Sequence, residues 1–202
     1  MIRPMHFGRK ALISCATVAL FGAGASAQTV PSDKITISGE AAKKAHDYIS
    51  ISSETAEKLG RACIELAKKN NAAVIVVIYD PYGQVVYEHR MDGATYVNTV
   101  AAEGKARAAL LTRAPSHVLT NRSINDTNTQ VRQQQFGLFT QTGGLPIFHP
   151  QTGQLIGAIG VGGSGNTPGK FGEEVCAHNA LEAVIGPQPK LLPFVEPKAG
   201  NQ

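Results

Sequence analysis

The sequence is poor in cysteine, contains no metal-binding spacing and has no apolar run long enough to cross a bilayer. Each absence narrows what the chain can be. Its three cysteines include no C-x-x-C pair and its six histidines no H-x-x-x-H, which argues against a preformed structural zinc site. The most apolar stretch, Ala11 to Phe21, is too short to span a membrane. It follows Arg3, Arg9 and Lys10 and precedes Ala25-Ser26-Ala27, the order of a secretory signal peptide cut before Gln28. The expectation is therefore a leader over residues 1–27 and a periplasmic or secreted product with no membrane span. The leader carries three basic residues and no acidic ones, so its removal lowers the formal charge from +4 to +1. No cluster of Lys and Arg is left to form a nucleic-acid footprint. Cys15 leaves with the leader, and the remaining Cys63 and Cys176 are too few for a disulfide scaffold. Cys63 falls on an apolar helical stripe and reads as a small buried hydrophobe in preference to one half of a Cys63–Cys176 bridge.

Four kinds of segment follow the leader. Residues 28–51 form a mixed polar extension with a short helical pattern from Gly39 to Tyr48. From Ser52 the signals sharpen: two serine caps, acidic residues in a first turn, then Ala56, Leu59, Cys63, Leu66 and Ala67 at helical spacing up to Asn70-Asn71. Two β-rich runs flank Asp80-Pro81-Tyr82-Gly83, whose residue order suits a type I turn, and so predict a hairpin. Thr95 to Arg113 reads as a second helix buried along Val97, Val100, Ala101, Gly104, Ala108 and Leu111, with Glu103, Lys105 and Arg107 off that stripe. The polar stretch Ser116–Gln135 reads as irregular with some helix. A second hairpin, Leu145–His149 and Leu155–Val161, precedes a helix over Phe171–Ile185 and a Pro-rich tail from Pro187. Hairpins make antiparallel sheet, so the order predicts an α+β domain over residues 52–186.

The stretch Ala158–Ala180 resembles a nucleotide site at first sight, because Gly160, Gly162 and Gly165 satisfy G-x-G-x-x-G. A dinucleotide fingerprint, however, opens a parallel βαβ unit, and here the motif closes the domain. The phosphate-loop pattern fails as well: Ser164 stands where the first glycine belongs and Phe171 where a magnesium-binding hydroxyl belongs. Glu173 and Glu174 put negative charge where a phosphate would sit. No nucleotide is expected. The glycines instead predict a bare strand on which another backbone, a helix or a flat ligand lies closely.

Four motifs occur in one order: RMDGA (Arg90–Ala94), EGKARAAL (Glu103–Leu110), GGLPI (Gly143–Ile147), and GQLIGAIGVGG followed by Thr-Pro and a Glu-rich helix start. Together they resemble the GlcG/HbpS-like haem-binding or haem-degrading domain family over roughly Ser52 to Ile185. The resemblance implies a profilin-like fold with helices on an antiparallel sheet, haem or a similar tetrapyrrole as ligand, and a homo-oligomer. It also implies a haem-ligating histidine on or near the first core helix. Ser52–Asn71 contains no histidine.

Two other histidines stand as candidates for a metal ligand or an acid/base. His89 shares a strand face with Val85, Tyr87 and Met91, followed by Arg90 and Asp92; its plainer reading is a hydrogen-bonded histidine beside an Arg90–Asp92 pair. His178 stands four residues from both Glu174 and Glu182, so that a carboxylate could orient its imidazole; its plainer reading is a solvated helix face. A ligand-binding set is expected from His89, Arg90, Asp92, Lys105, Gly143, Gly144 and Gly160, with Lys105 pairing a propionate and the glycines offering backbone N–H groups. The alternative to a tetrapyrrole-binding protein is an exported lyase, isomerase or hydrolase acting on a carboxylated or aromatic compound. It would use His89 or His178 as acid/base and Arg90 or Lys105 as anion holder.

Overall fold

The computed structural model describes residue 40, residues 49–165 and residues 171–191. The leader, most of the 28–51 extension, the Thr167-Pro168 helix start and the tail beyond residue 191 lie outside the described residues. The chain divides into two units, Met1–His46 and Asp47–Gln202. In the first, only Glu40, a helical residue, is described.

The second unit runs α1 (Ser53–Lys69), β1 (Ile75–Tyr79), β2 (Val85–Arg90), α2 (Tyr96–Thr112), α3 (His117–Ser123), α4 (Thr127–Gln135), β3 (Gly144–Phe148), β4 (Leu155–Gly162) and α5 (Glu173–Val184). The four strands form one antiparallel sheet in the order β2-β1-β4-β3, leaving the two hairpins' outer strands as its edges. This is the expected α+β architecture. The first hairpin's turn follows from its chemistry. The Asp80 carboxylate accepts from the Tyr82 and Gln84 amides at 2.8 and 2.9 Å, and Gly83 takes the positive φ of 79° that closes the hairpin. α1 begins where the Ser52 hydroxyl accepts from the Thr55 amide and ends beside Lys68 and Lys69, which suit its negative end.

β1 is buried on both sides, so it is apolar throughout rather than alternating. Val74, Val76 and Ile78 face α1 and α5 in the larger core, with Ile147, Ile159 and Val161. Ile75, Val77 and Tyr79 face α2 in a smaller core with Ala102, Ala106 and Ala109. Cys63 of α1 and Cys176 of α5 form a disulfide on the two-helix side. The expectation of an unpaired buried Cys63 is corrected: both cysteines are buried, and the fold stacks the two helices that carry them.

The inward face of α2 is also corrected. Val97, Val100 and Leu111 are exposed at 67%, 48% and 64%, whereas Ala102, Lys105, Ala106 and Ala109 point at the sheet. The reason lies in β4, whose Ala158, Gly160 and Gly162 alternate with Ile159 and Val161 and leave one sheet face without side chains. A methyl group added at Gly160 would overlap the Ala102 carbonyl oxygen and lie 2.8 Å from the Ala106 nitrogen. One at Gly162 would overlap Asn98. Only the alanine side of α2 comes close enough to fill that groove.

Candidate functional site

The first turn of α5 carries a buried polar network that joins three distant parts of the chain. Lys105, 2% exposed, donates to Glu173 at 2.5 Å and to the Val161 carbonyl at 3.2 Å. The other Glu173 oxygen accepts from the Gly163 and Gly165 amides at 2.6 and 3.4 Å. The glycine-rich exit of β4 therefore does bind an anion, and the anion is a side chain of the protein itself. Glu174 accepts from the Gly143 amide at 3.2 Å and bonds His117 Nδ1 at 2.8 Å. With a carboxylate accepting, the imidazole proton sits on Nδ1. Ser116 adds a further link, its hydroxyl donating to the Gln141 carbonyl and accepting from the Gly144 amide at 3.0 Å. Charges this deep persist only when paired and hydrogen-bonded, and each of these is.

The walls of a cavity of about 250 Å³ continue directly from this network. Arg113, Ala114 and Pro115, just before Ser116, form one side; Leu145, Pro146 and Phe148 of the edge strand β3 form the floor. His178 and Leu181 come from α5, one and two turns beyond the network, and residues 188–191 close the far side. The lining is largely apolar. His178, 14% exposed in its side chain, donates from Nε2 to the Pro189 carbonyl at 3.0 Å, while Nδ1 lies 3.7 Å from the Glu182 carboxylate. Arg113 and Lys190 are exposed at the mouth, and neither is in an ion pair among the described residues.

The expected ligand-binding residues do not converge. His89, Arg90 and Asp92 are exposed at the β2 edge, on the opposite side of the sheet from the β3 edge that floors the cavity. His89 stacks on Tyr87, and the Arg90 guanidinium donates to the Ala94 carbonyl at 2.6 Å rather than to Asp92. Lys105 is engaged by Glu173 and so is not the free anion holder expected. Gly144 and Gly160 abut the backbone of α2, where a methyl on Gly144 would overlap the Lys105 carbonyl; the Gly143 amide is taken by Glu174. A flat ligand has no access there because the helix fills the space. Of these candidates His178 lines the apolar cavity at the β3 edge. Arg113, Lys190, His117 and the Glu173–Glu174 pair were not singled out as a site by sequence. The partners lie 68 and 57 residues apart, and the one legible signal was the doubled glutamate after a glycine run.

The model of the HbpS-like family, described as haem-degrading, matches residues 51–176. The chain belongs to that HbpS-like family. No curated protein sequence matches it. Among solved structures, HbpS is similar at 29% identity and a TM-score of 0.59, covering 69% of this chain and 93% of its own. A double mutant of HbpS from Streptomyces reticuli is similar at 26% identity and a TM-score of 0.62, covering 75% of this chain and 95% of its own. A complex of PduOC with heme shares the fold at 23% identity and a TM-score of 0.57, covering 67% of this chain and 96% of its own. Within this HbpS-like chain the match spans both hairpins and all the helices up to the disulfide at Cys176.

Proposed function

We propose that the protein is an exported, homo-oligomeric binder of haem or a related tetrapyrrole, with His178 as the iron ligand. Family membership supports the ligand class, and the observation that carries the site is an imidazole at an apolar cavity wall. Haem iron takes an imidazole ligand, and apolar walls with cations at the rim suit a macrocycle that carries carboxylates. His178 fits in a further respect. Its Nδ1 faces the Glu182 carboxylate, a contact of the kind that orients a ligating imidazole, which leaves Nε2 to exchange the Pro189 carbonyl for iron. With a volume of about 250 Å³ the cavity is smaller than a whole macrocycle, so in this reading only one edge of it enters. Export is supported by the leader pattern of residues 1–27 and by a disulfide that requires an oxidising compartment. In this reading residues 28–51 are an extension, 52–186 the binding domain and 187–202 its tail. Oligomer formation is supported by the outer face of α2, where Tyr96, Val97, Val100 and Leu111 expose a run of apolar surface.

The test is a titration with haemin followed by absorbance. The expected result is a Soret band that His178→Ala shifts or removes and His89→Ala leaves in place. A featureless titration discards the reading; a band lost in His89→Ala and kept in His178→Ala moves the site to the β2 edge.

A further inference from the structure

We infer that the cavity at the β3 edge selects ligands by a carboxylate, held by Arg113 and Lys190. The inference rests on the proposed site and adds to it the group by which the site recognises its ligand.

Two observations that do not depend on each other lead here. One is the charge at the mouth. The lining is largely apolar; besides His178 and Gln188, its polar side chains are the two cations Arg113 and Lys190, one from the end of α2 and the other from the segment after α5. Both side chains are exposed, and among the described residues neither is neutralised by an acidic partner. The acidic groups on the neighbouring helix are otherwise engaged: Glu173 and Glu174 in the buried network, Glu182 beside His178. An apolar chamber with two cations at its rim is complementary to an amphipathic anion, and a guanidinium matches a carboxylate through two parallel hydrogen bonds.

The other observation is backbone strain. Arg113 closes α2 in the left-handed region, at φ 54° and ψ 31°. That position is the usual place for glycine, because a Cβ there crowds the following carbonyl. The chain puts a long cation where glycine would be the relaxed choice, and the result is that the guanidinium is delivered to the cavity. Asn71, after α1, is the other non-glycine residue with this backbone among the described residues, and asparagine tolerates it far better than arginine does.

The carboxylate could come from a tetrapyrrole propionate or from a compact aromatic acid, since about 250 Å³ would enclose the latter whole. Binding of haemin, haemin dimethyl ester and 2-naphthoate to the full oxidised protein separates these sources. The expected result is haemin binding about tenfold more tightly than its dimethyl ester, a preference lost in Arg113→Gln/Lys190→Gln with little change in ester affinity. Tight binding of 2-naphthoate that the double variant abolishes, with no binding of haemin, supports the carboxylate clamp and removes the tetrapyrrole reading. Equal affinity for haemin and its ester in the unmodified protein, or a preference that survives in the double variant, overturns the clamp and leaves the tetrapyrrole reading standing. Failure of all three ligands to bind overturns both. Arg113→Gly supplies a readout that a structural arginine would not give. It is expected to leave the melting temperature unchanged or raised, because glycine suits this backbone, while weakening haemin about as much as Arg113→Gln does. A lower melting temperature with unchanged haemin affinity would mean that Arg113 serves the helix end and would also overturn the clamp.

Discussion

The two faces of the sheet are packed by opposite means. On one, α1 and α5 meet branched side chains of all four strands, and a disulfide ties the two helices together. On the other, α2 lies almost backbone to backbone on a strand whose facing residues are alanine and glycine. The first face has volume to trade: a methylene lost or moved is absorbed by its neighbours. The second has none, because its closeness is set by main-chain atoms, which cannot choose another rotamer. The same closeness explains why Lys105 is buried. A helix seated this deep carries its central residues past the sheet edge to where Glu173 waits at the start of α5.

The largest expected effect comes from adding atoms to the tight face. Gly160→Val should cost more than about 4 kcal/mol, enough to prevent recovery of folded protein, whereas Ile159→Val on the other face should cost about 1 kcal/mol. Chemical denaturation of the pair measures the contrast, and comparable costs would mean that α2 moves aside more easily than the geometry implies. Next comes the ion pair that spans the two faces. Lys105→Met leaves Glu173 buried without its cation and should cost about 4 kcal/mol, and Lys105→Met/Glu173→Leu should regain much of that. A double variant no better than the single one would show that Glu173 stabilises mainly through the Gly163 and Gly165 amides. The smallest of the three is loss of the cross-link. Reduction, or Cys63→Ala/Cys176→Ala, should cost about 3 kcal/mol, and hydrogen exchange should quicken in α1 and α5 while α2 stays protected. Uniform loosening across both faces would mean that the sheet does not insulate one from the other.

Much of this was legible in the residues. Asp80 and Gly83 announce their turn, the second hairpin is marked in the same way, and the antiparallel pairing within each hairpin follows from helix–hairpin order alone. The bare strand was legible too, since glycine at alternate positions has few other meanings. What fills it was not. A helical wheel counts Lys105 as outward because a charge is usually solvated, and its partner lies 68 residues away, where no local pattern reaches. The wheel consequently turned α2 so that Val97, Val100 and Leu111 faced inward, and their exposure is the other side of the same error. The site suffered likewise. Motif order pointed to His89, Arg90 and Asp92 as a corner, but strand order separates the β2 edge from the apolar cavity that His178 lines. Nothing local in the sequence marks Arg113, because its left-handed backbone is set by where α2 ends.

The bond between Cys63 and Cys176 spans 113 residues, and residues 28–202 contain no other cysteine. The Cys63 thiol is therefore made well before its mate, and the bond can close only once the segment that carries Cys176 has been synthesised. Once the proposed leader is removed, only one pairing is available, so an electron acceptor suffices and a disulfide isomerase has no work to do.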